Sequence, residues 1–144
     1  MRILIDADGC PVVDIAVAIA KENKIACIIL CDTSHVFEKE GVLTLTVSKG
    51  ADSVDFALVN MIQSGDIVIT QDYGLAAMCL ARKAVTISQD GNVYDDTNID
   101  GLLLARHTSK KIRMAGGRTK GPSKRTAGQD EHFRETLNRL IHQG

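Results

Sequence analysis

The stretch ILIDADGCPVVDIAVAIAKENKIACIILC, residues 3–31, decides the fold. ILIDA at 3–7 is a short apolar run closed by Asp8 and Gly9, and it reads as a strand. Pro11 then opens VVDIAVAIAKEN, whose apolar residues recur at helical spacing; the fixed φ of proline suits the first turn of a helix. IACIILC at 25–31 is unbroken in its apolar character and rich in β-branched residues, the mark of a strand buried on both faces. Strand, helix and strand in this order predict a right-handed crossover between parallel strands.

The pattern repeats outward. VLTLTV at 42–47, DIVIT at 66–70 and AVTIS at 84–88 read as further strands, while SVDFALVNMI from Ser53 and YGLAAMCLARKA from Tyr73 carry helical spacing. The predicted class is α/β, three layers with a mainly parallel central sheet and helices on both faces. Asp90-Gly91 marks a turn, and Thr97 or Asn98 caps a short helix through Leu104. Residues 106–128 contain five Gly or Pro and no acid, and read as a basic Gly-rich loop. Thr126 and Gln129 have capping-box spacing and start a C-terminal helix with Phe133, Leu137, Leu140 and Ile141 on one side. Residues 1–144 are expected to form one domain, the usual size for a single core.

Composition narrows the function. Apolar and charged shares of 44% and 24% are those of a globular chain, which argues against disorder or a fibrous class. With two Tyr, three Phe and no Trp there is little material for a base-stacking platform, which weighs against single-strand readers. No apolar run reaches the roughly eighteen residues of a membrane span, and no signal segment opens the chain. A cytoplasmic protein without membrane contact is expected. Cys10, Cys27, Cys31 and Cys79 show no CxxC pairing and read as buried thiols. Charge is divided unevenly: residues 1–100 hold 7 Lys or Arg against 15 Asp or Glu, and residues 101–144 hold 10 against 3. The two parts face different partners.

In an open parallel sheet, ligands bind beyond the carboxyl ends of the strands, where strand order reverses. The acids collect at such ends. Asp6 and Asp8 follow the first strand, Asp32 the second and Asp72 the fourth, while Asp52 and Asp55 begin the helix after the third. Turn and cap roles explain several of these singly, but caps alone do not require Asp6 inside an apolar run or Asp72 directly after IVITQ. Gathered carboxylates repel unless a cation neutralises them, and oxygen-only ligands favour Mg²⁺ or Mn²⁺. Asp6, Asp8, Asp55 and Asp72 are the candidate metal ligands. Thr70 and Ser53 are candidates to orient water or a phosphate oxygen, against a plain capping role.

IDADGCPV at 5–12, GADSVDF at 50–56, GDIVITQDYGLA at 65–76 and GGRTKGP at 116–122 together resemble the YaiI/YqxD family of bacterial proteins. The resemblance covers essentially the whole chain. That family is similar in fold to the PIN-like domains, metal-dependent nucleases that act mainly on RNA. By position, the resemblance implies catalytic roles for Asp6, Asp55 and Asp72 and an Mg²⁺ or Mn²⁺ cofactor, with TQDYGL at 70–75 matching a Thr-x-Asp-x-x-Leu pattern. Asp8 with Gly-Cys-Pro, and the basic tail, depart from the ordinary PIN pattern.

The expected activity is therefore a divalent-metal-dependent phosphodiesterase acting on nucleic acid, with RNA as the expected partner. Two other readings stand beside it. Asp6-Ala-Asp8-Gly9 also resembles the nucleophile loop of haloacid-dehalogenase-like phosphatases, in which Asp6 would be the nucleophile, with Thr33 or Ser34 and Asp52 with Asp55 fitting in part. A non-catalytic RNA-binding or regulatory module is the second, carried by eight positive charges between Gly101 and Gln129. Of these, Arg106, Arg118, Lys120, Lys124 and Arg125 are the candidate phosphate contacts. GGRTKGP is not a Walker loop, because Pro122 stands where Lys is needed and no strand precedes it. His35, His107, His132 and His142 are scattered and suit exposed or structural roles.

Overall fold

The computed structural model describes residues 1–32, 41–47, 53–117 and 124–143. Among the described residues six strands form one sheet: β1 (Arg2–Asp6), β2 (Ala26–Asp32), β3 (Leu43–Val47), β4 (Ile67–Ile69), β5 (Val85–Ile87) and β6 (Val93–Tyr94). Their order is β3-β2-β1-β4-β5-β6, parallel throughout except for the antiparallel β5–β6 pair. This is the doubly wound order, whose direction of winding reverses between β1 and β4.

The helices are α1 (Val13–Glu22), α2 (Ser53–Met61), α3 (Tyr73–Ala81), α4 (Ile99–Met114) and α5 (Ala127–Gln143). Strand residues alternate between two cores because successive side chains point to opposite faces. From β1, Ile3 and Ile5 enter the core shared with α1 and α5, and Leu4 enters the core shared with α2 and α3. Ile5 lies beside Ile29 of β2 and Ile69 of β4, all three fully buried. Each such side chain stabilises the fold by roughly 1.5–3 kcal/mol.

Acids flank β4 on both sides, and the fold treats them differently. At the amino end, buried Asp66 accepts from Arg2 Nη2 at 2.7 Å and from the Gln63 N–H at 2.8 Å. Burial alone would raise its pKa, but these bonds hold it below the ordinary carboxylate value. Asp66 is thereby a structural acid.

The structure departs from the sequence expectations in three places, at β6, along α4 and at the amino-terminal cap of α4. The segment after β5 turns back through Gly91, at φ +85°, into the two-residue strand β6, which is too short to leave a periodic signal. The basic segment also begins as helix: α4 continues through 106–114 instead of stopping at Leu104. No Gly or Pro lies between Leu102 and Ala115 to stop it, and Lys111 and Arg113 in its last turn complement the helix dipole. It ends in a Schellman arrangement, with Gly116 N–H donating to Arg113 O and Gly117 N–H to Ile112 O. An acid-free run of cations imitates a loop in the sequence, whereas the Gly116-Gly117 pair marks the true stop.

The expected capping box is present: Thr126 N–H donates to Gln129 Oε1 at 2.8 Å and Gln129 N–H to Thr126 Oγ1 at 3.3 Å. From there α5 docks Phe133, Leu137 and Ile141 into the α1 side of the core. At the start of α4 the Asn98 side chain makes no capping bond to the helix; it accepts from the Asp95 N–H, and Asp95 in turn takes the N–H groups of Thr97 and Asn98. Among the described residues no helix is long and apolar enough to cross a membrane.

Candidate active site

At the carboxyl ends of β1 and β4 the chain leaves the sheet in opposite directions, and a crevice opens between the departing segments. Asp6 is the last residue of β1. Beyond it, the Cys10 N–H donates to Ala7 O across a turn that needs Gly9 at φ +71°. The turn sets Asp8 against β2, where its Oδ2 accepts the Asp32 N–H at 3.1 Å. Beyond β4, Asp72 caps α3 by accepting the Leu75 N–H on Oδ1 at 3.1 Å. A Cβ on Gly74 would stand 3.3 Å from that oxygen, so glycine there leaves room for the carboxylate.

Thr70 joins the two strand ends. Its hydroxyl donates to Asp6 Oδ2 at 2.8 Å and accepts the Asp72 N–H at 3.0 Å. Thr70 is itself buried, and the OH of buried Tyr94 donates to its carbonyl at 3.2 Å. The β5–β6 hairpin therefore braces the site from behind.

Asp6, Asp8, Asp32, Asp55 and Asp72 all line one cavity of about 660 Å³, with Ser53 and Thr70. Burial pushes the Asp6 carboxyl up to about 6; the Thr70 hydrogen bond opposes this, and the charges of Asp72 and Asp8 add to it. Arg106 is the one Lys or Arg on the cavity wall among the described residues. It reaches Asp72 Oδ1 at 3.4 Å from the exposed side of α4. With side chains 56% and 38% exposed, this pair is worth no more than about 1 kcal/mol and yields readily to another ligand.

The sequence candidates thus divide. The five aspartates, Thr70, Ser53 and Arg106 come together, whereas Lys124 and Arg125 do not line the cavity. Arg125 is tied internally: Nη1 to Asp90 at 2.6 Å, Nε to Asp130 at 2.7 Å and Nη2 to Gln89 O at 2.7 Å. It locks the start of α5 to the β5–β6 turn. Asp52, Arg118, Lys120, Thr33, Ser34 and His35 lie outside the described residues. Sequence reasoning missed Gln71, Tyr73 and Gln89, which also line the cavity. Adjacency of Gln71 and Tyr73 to Asp72 is the signal that points to them. As the side chains stand, no three His, Cys, Asp or Glu among the described residues are close enough together to hold a metal ion.

A doubly wound α/β domain with an acid-lined cavity at its switch point is the class that fold and site define. The chain belongs to the YaiI/YqxD family, an uncharacterized group whose profile matches residues 4–143. It is 51% identical over 141 residues to a UPF0178 protein from Exiguobacterium sibiricum, spanning 98% of this chain and 96% of that one. A UPF0178 protein from Clostridium acetobutylicum is 47% identical over 146 residues, spanning 100% and 99%. Among solved structures, a crystal structure of a mutant of Rae1 (YacP) from Bacillus subtilis is similar over 100% of both chains, with a TM-score of 0.49 and 13% identity.

Proposed function

We propose that this cavity is the active site of a divalent-metal-dependent phosphodiesterase that cleaves nucleic acid, RNA foremost. One observation carries the reading: five aspartates from four separate segments face a single cavity, where burial, with smaller contributions from the charges of Asp72 and Asp8, keeps Asp6 protonated up to about pH 6. An arrangement with that electrostatic cost suits a site completed by a cation. The donors are all carboxylates, which fits Mg²⁺ or Mn²⁺ and disfavours softer metals. Asp6, Asp8, Asp55 and Asp72 would hold the ion after side-chain rotation. When bound, a divalent ion neutralises phosphate charge and acidifies water.

The chain's own groups have separable tasks. Thr70 holds Asp6 Oδ2 in one orientation and leaves the other carboxylate oxygen for a ligand. Arg106, released from Asp72, supplies the positive charge that a phosphate needs at the mouth of an acidic cavity. Asp6 would have to give up its proton to hold a cation, so occupancy would rise with pH through the range around 6. The phosphatase reading is less well supported, since no lysine lines the cavity among the described residues and a carboxyl protonated near pH 6 is a weaker nucleophile. The test is cleavage of labelled single-stranded and structured RNA with and without Mn²⁺, beside Asp6→Asn and Asp72→Asn. Metal-dependent cleavage that disappears in both variants supports the proposal. Cleavage that survives Asp72→Asn, or none on any substrate, moves the function to the binding-module reading.

A further inference from the structure

A second cavity, of about 700 Å³, adjoins the acidic one and shares Gln71 and Tyr73 with it as a common wall. Gln71 is held there by its Oε1, which accepts the Gln89 N–H at 3.3 Å. The volume is that of a small-molecule site, roughly 300–1,000 Å³. Its chemistry is opposite to that of its neighbour. The one carboxylate on its wall among the described residues, Asp90, is already neutralised by Arg125. Arg139 of α5 lines the same cavity and forms no ion pair among the described residues. The His132 ring is fixed by its Nδ1 contact with Asp90 O at 2.7 Å, and the exposed Asn92 amide also faces this space.

Both tyrosines of the chain stand at this cavity. Their rings meet edge to face, centroids 6.0 Å apart at 69°. Tyr94 is buried and anchored through its OH to Thr70 O, so it supports the half-buried Tyr73 ring from one side. A rigid aromatic ring, a cation with no described carboxylate partner and an open amide together match the three parts of a nucleotide: a π face, an anionic group and hydrogen-bonding edges.

We infer that this second cavity binds a nucleoside 5′-monophosphate unit, with the base on Tyr73 and the phosphate at Arg139. The inference deepens the nuclease reading, and rests on it, in that the unit would be the nucleotide of the substrate strand neighbouring the one at the aspartates. Binding itself needs no metal. That separation makes the two claims independently testable.

The experiment is calorimetric titration of the full chain with AMP in excess EDTA, beside Arg139→Gln, Tyr73→Leu and Asp6→Asn. Saturable binding is expected, weakened about tenfold or more by Arg139→Gln, which removes a charge-assisted hydrogen bond to the phosphate. Tyr73→Leu should weaken it at least about fivefold by removing the stacking ring. Asp6→Asn should leave it unchanged. Arg139 is exposed, so its replacement leaves the fold intact, which a thermal melt verifies. Absence of saturable AMP binding, equal affinity in Arg139→Gln, or competition by inorganic phosphate as strong as by AMP overturns the inference. A chain that binds AMP and cleaves nothing keeps this site and loses the nuclease reading; one that cleaves RNA without binding AMP does the reverse.

Discussion

The Thr70 hydroxyl donates to Asp6 Oδ2 at 2.8 Å, so the end of β4 sets the orientation of the carboxyl at the end of β1. The same oxygen of Thr70 accepts the Asp72 N–H at 3.0 Å, and one buried hydroxyl thereby couples two of the proposed ligands. In Thr70→Val the Asp72 N–H loses its acceptor and Asp6 loses the bond that favours its charged form. We expect a loss of about 1–3 kcal/mol in denaturant unfolding and an Asp6 titration midpoint above its wild-type value of about 6. Carboxyl-detected NMR titration reads the second effect. An unmoved midpoint would remove Thr70 from the electrostatics of the site.

Asp6 makes stability depend on pH in a defined direction. Its folded pKa, about 6, lies above the ordinary 3.8, so the folded state binds the proton more tightly than the unfolded chain. Its contribution is fully present below about pH 4 and is lost as pH rises through about 6. Asp6→Asn keeps an acceptor for Thr70 and has no charge to bury. It should be more stable than wild type near neutral pH by up to about 3 kcal/mol, with the gain vanishing in acid. Paired urea titrations across this range test it, and equal stability of the two proteins at neutral pH would contradict the raised pKa.

If the aspartates take a divalent ion, millimolar Mn²⁺ or Mg²⁺ raises the melting temperature near neutral pH by mass action on the folded state. Asp6→Asn and Asp72→Asn should each remove the shift. In wild type the shift should fade below about pH 6, where the Asp6 proton competes with the ion. A metal response that both variants retain would place the ion elsewhere.

Gly91 carries a packing prediction that needs no assumption about the proposed activity. Its φ of +85° disfavours any side chain, and a Cβ there would meet His132 O at 2.7 Å and Phe133 Cα at 2.9 Å. Gly91→Ala must therefore push α5 away from the β5–β6 turn. Backbone strain and displacement together should cost about 2 kcal/mol or more. Wild-type stability in this variant would mean that α5 docks less tightly than these distances require.

The cations on α4 and the cation at the start of α5 should separate by experiment. Replacing exposed Arg106, Lys110 and Lys111 by Gln should reduce the log–log salt slope of RNA binding by roughly 0.7 to 0.9 for each phosphate that a removed cation had neutralised. Arg125→Gln breaks three internal bonds instead, and should lower stability while leaving that slope unchanged. A reversed pattern would return Arg125 to the substrate and make α4 a solvated helix.

Local pattern was enough for the order of strands and helices, because a continuous β-branched run such as IACIILC and a periodic run such as VVDIAVAIAKEN constrain the backbone within a few residues. It was also enough to place Asp6, Asp8, Asp55 and Asp72 at one end of a parallel sheet, since crossover handedness leaves few alternatives. The capping box at Thr126 and Gln129 was legible for the same reason: both partners lie within one turn. What depended on distant residues was not. Arg125 reads as one more cation of a basic segment, and only the folded chain brings it to Asp90, 35 positions away. β6 is two residues long and exists because β5 offers it an edge. The elevated pKa of Asp6 arises from burial and from carboxylates brought close by β4 and the turn after β1. Charge, burial and pairing are properties of the assembled space between elements, so the sequence by itself determined which strand ends carry the aspartates, and the tertiary structure decided that Gln71, Tyr73 and Gln89 join them at the cavity while Arg125 is drawn away to Asp90 and Asp130.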